Sequence, residues 1–264
     1  MKKPIAILLW FCLAVEAYGQ HFASMNPESI SLGQVQNTLN NVWSTGNNPS
    51  LLAKTEHPAL GFSIYAPHSL KELSTASCGG RFNMNQNLGI GILYVYSGYH
   101  AAHEQSLFIG AGKKINKQIC LGVSIGSSRQ VFGAEKPFIQ FPLVLGVSYQ
   151  ISAAANLTAS MHSTGLQMST SSMRIGTLWK AGKSSTVHVE VSQGFSQKLS
   201  LRLGLIHHVR KPLSLMIGVG YQPTCVSFGF RLTRDSLNIL SGTSRHQTLG
   251  FTPSFGLEIT RSDA

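Results

Sequence analysis

From Leu60 onward the chain alternates apolar residues with small polar ones, in runs of roughly eight to twelve residues parted by short polar turns. Within Ile119–Gly126, residues Ile119, Leu121, Val123 and Ile125 share one parity; Cys120, Gly122, Ser124 and Gly126 share the other. Side chains on a strand point alternately to opposite faces, so such a run carries one apolar face and one face of small residues. "LSLMIGVGY" repeats the scheme, with Leu213, Leu215, Ile217, Val219 and Tyr221 opposing Ser214, Met216, Gly218 and Gly220. "CVSFGF" sets Val226, Phe228 and Phe230 against Cys225, Ser227 and Gly229, and "VHVEV" sets three valines against His188 and Glu190. The turns at Asn83–Asn87, Lys113–Gln118, Lys180–Ser185 and Val209–Pro212 have hairpin length and exclude crossover helices, and the longest loop candidate is Ser127–Pro137. Counted this way, about 14 strands lie between Gly61 and Thr260, and no segment after the first twenty residues predicts a helix of more than two turns.

The second face decides what the strands build. A soluble antiparallel sheet loads its water-facing side with Lys, Glu, Asp and Thr. Here that side is mostly Gly and Ser, interrupted by Arg174, His188, Glu190 and Arg202, which suits a crowded enclosed interior. Tyr94, Tyr96, Tyr149, Trp179, Tyr221 and Phe251 stand near strand ends, in the manner of the aromatic girdles of lipid-facing strands. Tilted runs of about 9 to 11 residues are long enough to cross the hydrocarbon of a bilayer. A secreted β-sandwich or solenoid would alternate as well, but would not leave its polar face so poor in charge. The expected fold is therefore all-β: a transmembrane antiparallel β-barrel.

The N-terminus agrees. Lys2 and Lys3 precede an apolar run, Ile5–Val15, and Ala17 and Gly19 supply the small residues a signal peptidase reads. This predicts a leader over residues 1–19, and the run is too short to span a bilayer as a helix. No later apolar stretch is longer, so an exported chain of this kind crosses a membrane only by closing its strands into a barrel. Cell outer membrane is the expected location, with membrane lipid as the surrounding partner.

Charge narrows the picture further. Lys and Arg number 21 against 10 Asp and Glu, yet the bases are scattered as short pairs such as Lys113-Lys114 and Arg210-Lys211. Without a dense basic stripe or a recognition motif, nucleic-acid binding is not expected. Beyond Cys12 in the leader, Cys78, Cys120 and Cys225 remain, an odd number at wide spacing that makes no disulfide framework; whether two of them bridge stays open.

Three blocks carry a family resemblance: "SLGQVQNTLNNVWSTGNNPSLLA" (Ser31–Ala53), "HSLKELSTASCGGRF" (His68–Phe82) and "HQTLGFTPSFGLEI" (His246–Ile259). They resemble the short PorV/PorQ-like members of the FadL-type (long-chain fatty-acid transporter) outer-membrane barrels common in Bacteroidota. Asn41-Val42-Trp43-Ser44 stands where the family has an Asp- or Asn-containing "VWS", and Asn47–Ala53 where it has "NNPAGLA" or "NNQAGLA". The resemblance implies a 14-stranded barrel with the N-terminal segment folded inside as a plug, dividing the chain into a leader (1–19), a plug (20–58) and a barrel (59–264). Asn in place of the more usual acid before Val42, and an ending on "ITRSDA" rather than on an aromatic residue, depart from the pattern. The plug candidates are Asn41, Trp43, Asn47, Asn48 and Pro49, the asparagines capping turns and bonding to the wall and Pro49 starting the turn toward the first strand.

Chemistry is otherwise sparse. His100 and His103, expected in a loop between strands, lack a third ligand, and His207-His208 point to opposite faces of a strand, so no metal site is expected. No nucleophile elbow, phosphate-binding loop or zinc-protease motif occurs, which argues against an enzyme and against a cofactor. Glu190 reads as the one mid-strand acid on the inward face, placed to pair with Arg202 or Arg174. Leu51, Leu52, Leu60 and Phe62 either line a hydrophobic path or pin the plug to the wall. The functional expectation is a barrel that binds or passes a small hydrophobic molecule past a plug. The alternatives are a barrel acting through secretion-system or surface-assembly protein partners, and a structural barrel without transport.

Overall fold

Antiparallel hairpins follow one another around the whole chain in the computed structural model, which describes residues 25–133, 136–164, 171–194 and 198–261. The strands are β1 (Ala59–Tyr65), β2 (Thr75–Asn85), β3 (Leu88–Tyr99), β4 (Ala102–Lys114), β5 (Ile119–Phe132), β6 (Phe138–Gln140), β7 (Leu143–Gln150), β8 (Ala155–Ser163), β9 (Ser171–Lys180), β10 (Ser185–Gly194), β11 (Ser200–Arg210), β12 (Leu213–Tyr221), β13 (Cys225–Arg234), β14 (Leu237–His246) and β15 (Gly250–Thr260). Each pairs with its sequence neighbour, except that β6 and β7 both pair with β5 and not with each other, and β1 pairs with β15, so the sheet closes on itself. β6 and β7 share one register on β5: Gln140 lies opposite Ser128 and Leu143 opposite Ile125. They are two halves of a single strand, and the barrel has fourteen strands.

The break falls at Phe141-Pro142. Pro142 accepts a hydrogen bond from the Gly126 amide but has no N–H to return, so one rung of the β5 ladder is missing.

The parity rule sorts the wall as the alternation requires. Leu60, Phe62 and Ile64 of β1 face outward and are exposed, while Ala59, Ser63 and Tyr65 face inward and are buried. The same holds for Leu121, Val123 and Ile125 against Cys120 and Ser124 on β5. An exposed outer band of Leu, Ile, Val and Phe this extensive is the surface of a barrel that lies in lipid. No helix among the described residues is long and apolar enough to cross a membrane.

Three details differ from the sequence reading. His103 is on β4, not in a loop, and stacks on Tyr96 with ring centroids 5.6 Å apart. Ser127–Phe132, expected in a long loop, continues β5; the long connection is 66–74 instead. Glu104 and Glu258 join Glu190 as inward-facing strand acids, because they fall on the inward parity of β4 and β15. Cys78, Cys120 and Cys225 are all free: Cys78 is exposed on the outward face and Cys120 and Cys225 are buried inside.

Candidate functional site

Residues 26–55, which precede β1, lie inside the barrel. Helix α1 (Pro27–Ser31) begins with Pro at its first position and is capped by Asn26, whose side chain accepts the Ser29 amide while Ser29 returns a bond to the Asn26 backbone. A short helix α2 (Ser44–Asn47) and a 3-10 turn (Pro49–Lys54) follow, the latter capped by Asn48 through the Ser50 amide. Apart from Gln34, Asn40 and Lys54, residues 26–55 are all buried.

Inward glycines make room for this segment. A Cβ on Gly122 would overlap the Ser50 amide and the Pro49 carbonyl, and one on Gly218 would overlap the Leu32–Gly33 backbone. Gly89 and Gly112 sit against Leu52 and Ala53, Gly146 against the Asn48 side chain, and Gly229 and Gly242 against Ser31. Several of these are register partners, as in Gly112–Gly122–Gly146 and Gly204–Gly218, so they form a girdle and not isolated gaps. Gly33 needs its lack of a side chain twice over, having φ +68° and lying against the Val219 backbone. The Gly/Ser face of the strands is therefore the surface on which the segment's backbone rests.

Two kinds of contact fasten it. Toward β1–β7, Val42 and Trp43 pack in an apolar cluster with Ala59, Leu93, Phe108 and Val144, and the Trp43 indole donates to Ser77 Oγ at 2.7 Å. Ser124 Oγ donates to the Thr45 carbonyl at 2.6 Å. Toward β9–β15 the contacts are charged. Glu190 Oε2 accepts the amides of Gln36 and Asn37, each at 2.7 Å, while its Oε1 takes Arg202 at 2.9 Å from the facing position on β11. Arg174 does not pair directly with Glu190; its guanidinium donates to Gln36 Oε1 at 2.5 Å. His188 Nδ1 lies 2.8 Å from Thr38 Oγ1. Lower down, Glu28 pairs with Arg231 at 2.5 Å and accepts the Asn41 amide at 3.0 Å. Burial alone would push the Glu28 carboxyl up, but Arg231, Asn41 and His188 outweigh it and hold it below the ordinary carboxylate value.

Among the expected site residues, Arg174, His188, Glu190 and Arg202 converge on residues 36–38 of the segment. Asn41 and Asn48 bond mainly within the segment: Asn41 to the Trp43 amide and Glu28, Asn48 to Asn37 and Ser50. Asn47 and Pro49 are buried, Pro49 opening the 3-10 turn that leads to β1. Leu51 and Leu52 are buried against the wall, whereas Leu60 and Phe62 face outward and are exposed, so the four do not form one path. Glu28, Gln36, Asn37, Arg231 and Ser77 were missed; only the inward parity of Ser77 and Arg231 could have flagged two of them.

No family model matches the sequence, and no curated protein matches it. The backbone is more telling. The CymD monoaromatic hydrocarbon channel superposes with a TM-score of 0.71 at 9% identity, over 94% of this chain and 99% of that one. A Pseudomonas aeruginosa FadL homologue gives 0.67 at 8% identity, over 94% and 98%. The Pseudomonas putida toluene transporter TodX gives 0.64 at 9% identity, again over 94% and 98%. The fold is that of the FadL-type channel barrels. Within that fold, four inward Arg (81, 174, 202, 231) stand against four Glu (28, 104, 190, 258), and Lys54 of the segment and Lys114 on the inward parity of β4 are two further, partly buried bases. The segment meets all fourteen strands, from Gly61 on β1 to Gly256 on β15.

Proposed function

We propose that the protein is an outer-membrane barrel that passes a small hydrophobic molecule along its inner wall while the N-terminal segment plugs the centre. The observation that carries this is a juxtaposition. The apolar cluster of Trp43, Leu93, Phe108 and Val144 lies directly behind the strand broken at Pro142. Phe108 faces Gly126 across the β4–β5 ladder, and Gly126 is the residue that bonds to Pro142. An apolar interior surface thus meets the weakest rung of the wall, where a molecule of low polarity can leave for the lipid without crossing the charged side of the plug. The hydrocarbon and toluene channels of the same fold support this class of cargo.

The test is uptake of a labelled aromatic hydrocarbon by cells carrying the protein. Pro142→Val, which supplies the missing amide to the β5 ladder, should slow uptake several-fold while the barrel keeps its heat-modifiable mobility on unboiled gels. Unchanged uptake would overturn the lateral route. Gentle purification followed by mass spectrometry adds a second measure: a co-purifying apolar molecule supports the reading, and a stoichiometric protein partner in its place supports a PorV/PorQ-type role.

A further inference from the structure

The four inward Arg and four Glu cancel, and apart from the partly buried Lys54 and Lys114 the positive charge of the described residues lies at the two rims, where it is unevenly shared. The end that holds the start of β1 and the finish of β15 has turns of two to four residues, the form of the periplasmic end of outer-membrane barrels. On it, Lys113 and Lys117 flank the β4–β5 turn, and Lys180 and Lys183 the β9–β10 turn. Arg210 and Lys211 occupy the β11–β12 turn, Arg234 the next, and Arg261 follows β15. Among the described residues these eight bases are exposed, against two exposed acids, Glu56 and Asp235. The opposite rim has five exposed bases and one exposed acid among the described residues, Lys71, Arg129, Lys136, Lys198 and Arg245 against Glu72. None of the eight is in an ion pair among the described residues; the ion pairs there use Arg81, Arg202 and Arg231.

We infer that this rim binds the phosphate headgroups of anionic glycerophospholipids in the leaflet around it. The inference rests on the membrane reading above. A protein partner would need its counter-charge on one side, but the bases are spread over four turns and the end of β15, on opposite sides of the barrel. A lipid annulus meets such a spread everywhere at once. The bases also stand where headgroups would be: Lys113 continues the outward row of Leu107, Ile109 and Ala111 past the end of the apolar band. Clustered Lys and Arg just beyond a membrane's hydrocarbon attract anionic lipid, each adding to the preference.

The experiment reconstitutes the folded chain, expressed from Gln20, into vesicles of phosphatidylcholine mixed equally with phosphatidylglycerol, then extracts it gently and counts the lipid retained. The wild type should retain phosphatidylglycerol over phosphatidylcholine by about tenfold. The combined variant Lys113→Gln, Lys117→Gln, Lys183→Gln, Lys211→Gln should bring the ratio close to that of the vesicle. The matched variant of the other rim, Lys71→Gln, Arg129→Gln, Lys198→Gln, Arg245→Gln, should keep most of the preference. No preference in the wild type, or an equal loss in both variants, overturns the proposal while the membrane reading stands. Failure to insert into any vesicle overturns both.

Discussion

The two halves of the N-terminal segment are held by different physics. Residues 41–53 rest on glycines and apolar side chains, with neutral hydrogen bonds from Trp43 and to Thr45, and are joined within a few residues to β1. Residues 26–38 also lie on glycines, Gly218, Gly229 and Gly242, but they are far from that tether and add carboxylates: Glu190 holding two backbone amides, and Glu28 paired with Arg231. Leu32, Val35 and Leu39 add an apolar contact with Ile206 and Met216 on that side. Shape complementarity changes little with solution conditions, whereas buried ionic contacts fail all at once when one partner is lost. On these contacts residues 26–38 should be the half of the segment that loosens first and residues 41–53 the half that stays seated.

The strongest way to break this contrast is Glu190→Ala. It strands Arg202 and removes the acceptor of the Gln36 and Asn37 amides, a loss of about 3–5 kcal/mol for a buried charge network. Amide hydrogen exchange over residues 26–38 should speed up by at least about a hundredfold, with residues 41–53 far less affected. Equal loosening of both halves would show that the segment moves as one unit.

The seat can be attacked separately. Gly122→Ala places a methyl group into the Ser50 amide and Pro49 carbonyl, and backbone cannot swing aside as a side chain can. The cost should be near 3 kcal/mol, read as faster exchange over residues 48–53. Gly80→Ala is the matched control: its methyl points outward and meets only the ends of Leu60 and Phe82, so it should have almost no effect on the segment.

These glycines also show how much the sequence alone disclosed. Period-two alternation was enough for the fourteen strands, the outward apolar band and the inward parity of Arg174, His188, Glu190 and Arg202, because parity is a local property. The Gly/Ser character of the inner face signalled an enclosed interior. That the N-terminal segment lies against it was implied only by the family resemblance, and the individual contacts were not legible, since the segment has no periodicity and its contacts are non-local: Glu190 meets amides 153 and 154 residues away. Glu28 was passed over for the same reason, its partner Arg231 being visible only as one more inward base. Pro142 breaks a strand that the pattern left whole, because a missing amide does not disturb the alternation of side chains.

A smaller effect belongs to Glu28→Gln, which removes the charge opposite Arg231 and should cost about 2 kcal/mol. Acid should act in the same direction. The docked carboxyl is held below its ordinary value of 4.5, so its contribution is complete above that pH and is lost as the pH falls through the docked value. In a Trp179→Phe chain expressed from Gln20, Trp43 is the sole tryptophan, and its quenching by acrylamide should stay low at neutral pH. Any acid-induced loosening should appear first in exchange at residues 26–31, with Trp43 still shielded.

The mildest test bears on the seat itself. Trp43→Phe keeps most of the apolar volume packed against Leu93, Phe108 and Val144 and deletes only the indole bond to Ser77. Ser77 is not orphaned, since its hydroxyl still meets Ser63 Oγ at 2.7 Å. The loss should be about 1 kcal/mol, a roughly fivefold rise in exchange over residues 41–45. Protection over residues 26–38 should not change, because the charged contacts to β9–β13 do not pass through Trp43. If those residues loosened by the same factor, the ionic half would be held through the aromatic seat, and the division between the two halves would be wrong.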